Sequence, residues 1–346
     1  MSVTAAAGEV GKSTKSIADA LAMTTGRPLI GISVPRQLRV LLINLEDDRN
    51  TMDKRIAAAM KHFGLTPQDV GDRLFVKAKG EVKIKVATQT RIGVIEPDAA
   101  VIGGMIAFVK ENVIDVVSID PLRKTHRIGE NDTVAMGEVM EIYEEIAAEA
   151  NCNVHIWHHL RKANGGDATI DSVRGASSII DAARSCEVMT KMNDLEADKF
   201  NIEDRRRRYY FRFFNGKLNF APPIEQSNWC ELKSVELNNA GGLFGDNVGV
   251  VAQWEPPSAD DVELTERIVA RIKEAVGTEL KWRDHHMADM WVGKAVAPIV
   301  DLNPDRDRKM VKDVVAKLIN VGVLRTQPGW DQARREEKMF VVAVAG

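Results

Sequence analysis

No apolar run in these 346 residues approaches the roughly 18 needed to cross a bilayer as a helix. The N-terminus likewise lacks the basic segment, apolar core and cleavage site of a secretory leader. These absences predict a soluble, cytoplasmic chain with no membrane partner. Cysteine is scarce: Cys152, Cys186 and Cys230 stand far apart without CxxC spacing, which argues against a disulfide framework and a zinc site and leaves three reduced, structural thiols. An excess of one charge is missing too. The 47 Lys and Arg against 50 Asp and Glu give a net charge of −3, so the surface is not uniformly basic and any contact with nucleic acid must come from local patches. There is no internal repeat and no low-complexity tract.

What is present is a 45% apolar fraction beside 28% charge, enough to bury a large core and to build one big domain and a smaller one. Leu38 to Leu45 (LRVLLINL) and Val113 to Asp120 (VIDVVSID) are continuous apolar runs ending on acids, the form of parallel strands covered on both faces. Between them Met52, Ile56, Met60 and Phe63 recur at helical spacing until Gly64 and Pro67, a short strand lies at Leu74 to Val76, and Ala99 to Glu111 reads as a helix. Asp132 caps a long helix to Ala150, and Asn153 to Trp157 forms a further strand ending in His158-His159. Strands alternating with helices predict a RecA-like α/β fold, a doubly wound and mostly parallel sheet. A short helix at Gly175 to Ala183 and a strand at Cys186 to Thr190 follow. Tyr209 to Phe220 carries Asn215-Gly216, the signal of a tight hairpin, and Trp229 to Leu237 and Val248 to Trp254 add strands, so an antiparallel extension is expected. Pro256-Pro257-Ser258 marks a linker, which predicts an ATPase domain over 1–257 and a C-terminal domain over 258–346. In the latter, helices near Val262 to Ala275 and Arg306 to Asn320 precede a two-stranded wing, a winged-helix-like pattern.

A loop that holds nucleotide phosphates needs inward backbone N–H groups, a lysine for the outer phosphates and a hydroxyl for magnesium at a helix start. Gly8, Glu9, Val10, Gly11, Lys12, Ser13 and Thr14 form such a loop, and Ser16 to Ala22 continue as helix. The full pattern puts glycine where Ala6 stands, and Glu9 occupies a position often held by glycine; its acid either repels phosphate or points away. Asp120 ends a strand as a water-mediated magnesium ligand requires, with Ser13 as the direct one. Glu46 ends the strand after the loop, placed to polarise an attacking water. Singly, an acid after an apolar run is only a strand end; three such features in this order point to one ATP site.

His158, His159, Arg161 and Lys162 close another strand at the same edge, where one His is either a γ-phosphate sensor or an ordinary core-edge imidazole. Arg174 opens RGASSIIDAARS and Arg184 nearly closes it; each is either a finger reaching a neighbouring subunit's nucleotide or a structural ion pair. Residues 161–173, basic and rich in glycine, have the composition of a loop that grips a nucleic-acid backbone. Arg205 to Arg212 (RRRRYYFR) mixes cations with stacking rings, although in a strand half of those rings face a core.

In the order of these motifs the chain resembles the RecA-like, RepA-type hexameric replicative helicases of plasmids and their phage and chromosomal relatives. The matching stretches are AAAGEVGKST, LLINLEDD, VVSIDPL with GENDTVAMGEVM, HIWHHLRK, RGASSIIDAARS, and NGKLNFAPP with GDNVGVVAQW, which together span residues 4 to about 257. The resemblance implies ATP and Mg2+ as cofactors, Lys12 and Ser13 on phosphate and metal, Glu46 as catalytic base, Asp120 as the second acidic motif, His158 or His159 as sensor, and Arg174 or Arg184 as finger. It also implies single-stranded DNA as partner, a hexamer, and a replication initiator or primase alongside. In this family a strand precedes the loop; only Met1 to Ala5 stand there, so a clipped central strand is expected. A DNA-binding regulatory or recombination ATPase that does not unwind, and a non-catalytic nucleotide-binding module, are the alternative readings.

Overall fold

The computed structural model describes residues 1–130, 132–159, 177–200, 202–219, 227–239, 245–258, 261–332 and 334–344. They form two compact units, Met1–Met192 with Arg208–Glu255, and Asn193–Arg207 with Pro256–Gly346.

The first unit runs through β1 (Ser2–Ala6), α1 (Lys12–Thr25), β2 (Val40–Asn44), α2 (Arg49–Phe63), the single turn α3 (Pro67–Val70), β3 (Leu74–Lys77), β4 (Ala87–Gln89) and β5 (Ile95–Pro97). It continues with α4 (Ala99–Glu111), β6 (Val116–Asp120), β7 (His126–Arg127), α5 (Thr133–Ala150), β8 (Asn153–His159), α6 (Ser177–Ala182) and β9 (Ser185–Lys191). After α7 (Asp194–Phe200) and α8 (Asp204–Arg207), which belong to the second unit, the chain returns as β10 (Tyr210–Leu218), β11 (Asn228–Glu236) and β12 (Asn247–Gln253). Every residue of β2 and β6 is buried, which is why both read as unbroken apolar runs and not as alternating ones. The long helices start where short polar side chains replace missing intrahelical acceptors: Asp48, Asp98 and Asp132 accept the N–H of Thr51, Val101 and Ala135.

Nine strands make one sheet in the order β12-β11-β10-β9-β1-β8-β6-β2-β3. From β9 to β3 all neighbours are parallel, and β10, β11 and β12 continue antiparallel beyond β9. This is the α/β architecture the sequence predicts, a doubly wound parallel sheet with an antiparallel extension. Two details differ. β1, where a clipped strand is expected, pairs over Ser2 to Ala6 with β8 on one side and β9 on the other, and both flanks supply a ladder. Nor do Asn215 and Gly216 turn a hairpin. The strand runs on through them, with Asn215 opposite Glu187 and Lys217 opposite Cys186, so that Gly216 is the extra residue of a bulge and the ladder to β9 overrides the local turn preference. A small sheet, β5-β4-β7, escaped the sequence reading because its strands are only two or three residues long.

The two faces of β1 are filled differently. Val3 and Ala5 join an aliphatic core with Val139, Tyr143 and Ile146 of α5 and Ile156 of β8. On the opposite face Lys15 of α1 is buried at 1% exposure, with its ammonium 2.9 Å from Asp19, 2.8 Å from Glu187 of β9 and 4.3 Å above the Phe213 ring. Burial opposes the Lys15 charge, but the two carboxylates outweigh it and hold the amine protonated. Thr4 donates to Glu187 at 3.3 Å and meets His155 at 3.0 Å, and Ser2 contacts the other His155 nitrogen at 2.8 Å. Burial and the Lys15 charge push that imidazole down to about 3, so it stays neutral.

The second unit orders α9 (Glu266–Val276), β13 (Trp282–Arg283), α10 (Gly293–Val296), α11 (Arg308–Asn320), β14 (Leu324–Asp331) and β15 (Glu336–Ala343). The strands pair as β13-β15-β14, all antiparallel. Helix, strand, helix, helix and hairpin in this succession is the winged-helix order, with β13 adding a third strand to the expected two. Its own core gathers Ile272, Trp291, Val296, Val311, Val314, Leu318 and Val341. Among the described residues no helix is long and apolar enough to cross a membrane.

Lys15→Met removes one cation from between two carboxylates and is expected to cost about 3–5 kcal/mol, since an uncompensated buried charge is left behind. Urea unfolding at pH 7 measures it, and an unchanged midpoint would show the pair to be energetically idle.

Candidate functional site

In a parallel sheet the carboxyl ends of all strands share one edge. Ala5 and Ala6 of β1 lie opposite His158 and His159 of β8, and Asn44 of β2 lies opposite Asp120 of β6. The loop after β1, the Glu46 segment after β2, Asp120 and the histidine pair therefore converge, although they come from four stretches of the chain.

The loop leaves β1 at Ala6, which is fully buried among Val10, Ala18, Trp157 and Phe213. An alanine serves there because the residue is still strand and needs no glycine conformation. Glu9 takes the left-handed region at φ 58° and Gly11 at φ 87°. The Glu9 carboxylate is almost fully exposed and lies 3.6 Å from Lys191, so it points out and away. Gly11 precedes the first turn of α1, which no side chain caps, leaving the orphan N–H groups of a helix start for an anion. A Cβ on Gly11 would stand 2.9 Å from Cδ2 of Leu232.

Lys12 is buried, and its ammonium lies 2.8 Å from Oδ1 of Asp120, itself fully buried. It also donates to Nε2 of His159 at 2.8 Å, which makes that nitrogen an acceptor and the imidazole neutral. Burial, and after it the Lys12 charge, lowers the His159 pKa in keeping with this. His158 is buried, and burial pushes its pKa down to about 4. Ser13 donates its hydroxyl to Oδ2 of Asp120 at 2.8 Å. A hydroxyl and a carboxylate this close are hard oxygen donors of the sort magnesium takes, and few protein ligands suffice because that ion keeps waters and phosphate oxygens.

Glu46 is exposed two residues beyond β2. Its backbone N–H and that of Asp47 donate to Oδ1 of buried Asn44 at 2.8 and 2.7 Å. Asp47 pairs with Arg55 of α2 at 3.1 Å, and Arg55 reaches the Thr14 hydroxyl at 3.4 Å. Asn44 and Arg55 carry no sequence signal, one being a strand residue and the other an ordinary cation on a helix. Arg184 is not at this edge. It precedes β9 at the opposite end, exposed, with its N–H on the Met1 carbonyl at 3.1 Å. Arg174, Arg161, Lys162 and the rest of the 161–173 loop lie outside the described residues. The Arg205 to Arg212 run is divided: Arg205 to Arg207 belong to the turn α8, whereas Tyr210 and Phe211 of β10 are buried.

Residues 1–165, which contain the loop, Glu46, Asp120 and both histidines, match the family model of the AAA domain. Among solved structures the chain is similar to one described as a DnaB-like replicative helicase and its interactions with primase, at 14% sequence identity and a TM-score of 0.47. That match covers 67% of this chain and 54% of the other, so the chain spans about half the length of that helicase.

Gly11→Ala is expected to damage the loop on two counts, a positive φ worth about 1–2 kcal/mol against an L side chain and the approach to Leu232. Thermal unfolding and titration with a fluorescent ATP analogue check it: a lower melting temperature together with weaker nucleotide binding is expected.

Proposed function

We propose that this chain is a magnesium-dependent ATPase that works as a ring motor on single-stranded DNA, a replicative helicase of a plasmid or phage. The observation that carries the reading is the meeting of Lys12, Ser13 and Asp120 within 2.8 Å at the edge where Glu46 follows the neighbouring strand. The match of residues 1–165 to the AAA domain supports the nucleotide half of it. The motif order supports the DNA half.

In this reading residues 1–257 are the ATPase domain and 258–346 an accessory C-terminal domain. The residues from Gly8 to Thr14 wrap the phosphates with backbone N–H groups. Lys12 exchanges its contacts to Asp120 and His159 for phosphate oxygens, so that the vacated His159 registers nucleotide. Ser13 and Asp120 are the residues that would hold magnesium, which would supply positive charge against the phosphates. Glu46 takes a proton from the water that attacks the terminal phosphorus, giving ADP and inorganic phosphate. Arg174 or Arg184 reaches the site of the next subunit in a hexamer, and a replication initiator or primase is the accompanying protein.

Lys12→Ala is expected to abolish ATP hydrolysis, and single-stranded DNA to raise the rate of the unaltered protein. Hydrolysis surviving in the variant would refute the site; hydrolysis without release of an annealed strand would leave an ATPase that does not unwind. Native mass spectrometry with ATP and magnesium is expected to give six times the chain mass. A monomer under those conditions would exclude an arginine contributed by a neighbour.

A further inference from the structure

Among the described residues, Asn44 presents a buried donor with nothing to donate to. The residue has no exposed surface, and its Oδ1 accepts the N–H groups of both Glu46 and Asp47. That pairing fixes the orientation of the amide, because only the oxygen can accept from two N–H groups. The remaining atom is therefore Nδ2, and it is buried with no hydrogen-bond partner among the described residues. A donor left in this state destabilises the fold. Asn44 lies in register with Asp120 on the adjacent parallel strand, and paired residues leave a sheet on the same face. The side chain thus holds the backbone of the base candidate at the strand end that pairs with the acid meeting Lys12 and Ser13.

We propose that Asn44 is a positioning residue for hydrolysis: Oδ1 fixes the Glu46 segment, and Nδ2 donates to the oxygen of the attacking water once nucleotide is bound. This rests on the reading of Glu46 as the base that activates that water. The water oxygen accepts from Nδ2 while one of its protons faces Glu46, which directs a lone pair at phosphorus. No bond to Asn44 forms or breaks. Serine or alanine at this place would leave the strand intact but supply no donor at that reach, whereas aspartate is nearly isosteric, accepts the same two N–H groups and has no N–H.

Asn44→Asp and Asn44→Ala separate the two functions, with Glu46→Gln as reference and steady-state ATPase, binding of a fluorescent ATP analogue and thermal unfolding as readouts. Both Asn44 variants are expected to lose about 100-fold in kcat, with KM and analogue affinity within threefold of the unaltered protein and the magnesium requirement of the Asp variant unchanged. Asn44→Asp retaining full kcat while Glu46→Gln loses it would overturn the role of Nδ2 and leave the base assignment standing. Affinity falling in step with kcat, or a shifted magnesium requirement in the Asp variant with normal kcat in the Ala variant, would also overturn it. Activity retained by Glu46→Gln would refute the reading of the base itself.

Discussion

The parallel register of β1 with β8, and of β2 with β6, is the constraint from which the rest of the site follows. Parallel pairing aligns chain direction, so four carboxyl ends and the segments leaving them reach the same edge without any contact between the segments having to bring them there. β1 is the axis of that alignment. It is short, but it is paired on both sides and covered on both faces, and this holds the loop that follows it to a fixed starting point. A strand slipped by two residues would keep its buried faces and lose the meeting of Lys12 with Asp120.

Two lysines three positions apart on α1 show how burial separates structural charge from exchangeable charge. Lys15 sits beneath the sheet between Asp19 and Glu187, two carboxylates on rigid elements, with an aromatic ring below it. Nothing can replace those partners, and the pair fastens the helix to β9. Lys12 faces the open edge and is held by one carboxylate and one neutral imidazole. An imidazole is a neutral acceptor, so Lys12 is held by one charged partner where Lys15 is held by two. The same helix carries both because positions three apart lie on neighbouring rows of its surface.

The polar groups around Asp120 follow a related logic. Asp120 is fully buried, yet it meets an ammonium and a hydroxyl, and the segment carrying Glu46 is tied back to the adjacent strand by Asn44. Desolvation makes each of these contacts stronger than it would be in water and makes any unfilled position costly. The site is therefore ordered before any ligand arrives. Glu9, by contrast, is exposed and faces Lys191, and its charge is kept out of the loop it belongs to.

The sequence by itself determined the alternation of strands and helices, the cap at Asp132, the loop, and the acids that end two apolar runs. These are local properties, written in periodicity, in turn chemistry and in the spacing of a few residues. Only the tertiary structure decided that Ser2 to Ala6 make a central strand paired on both sides, that Asn215-Gly216 is a bulge and not a turn, and that Arg184 stands at the far end from Lys12. Each of these depends on which strand becomes a neighbour, and a strand's ladder partners are remote in sequence. The contacts of Asn44, Arg55 and Lys15 were unreadable for the same reason. The residue types are ordinary, and what sets them apart is the group that folding places within 3 Å or so of their polar atoms.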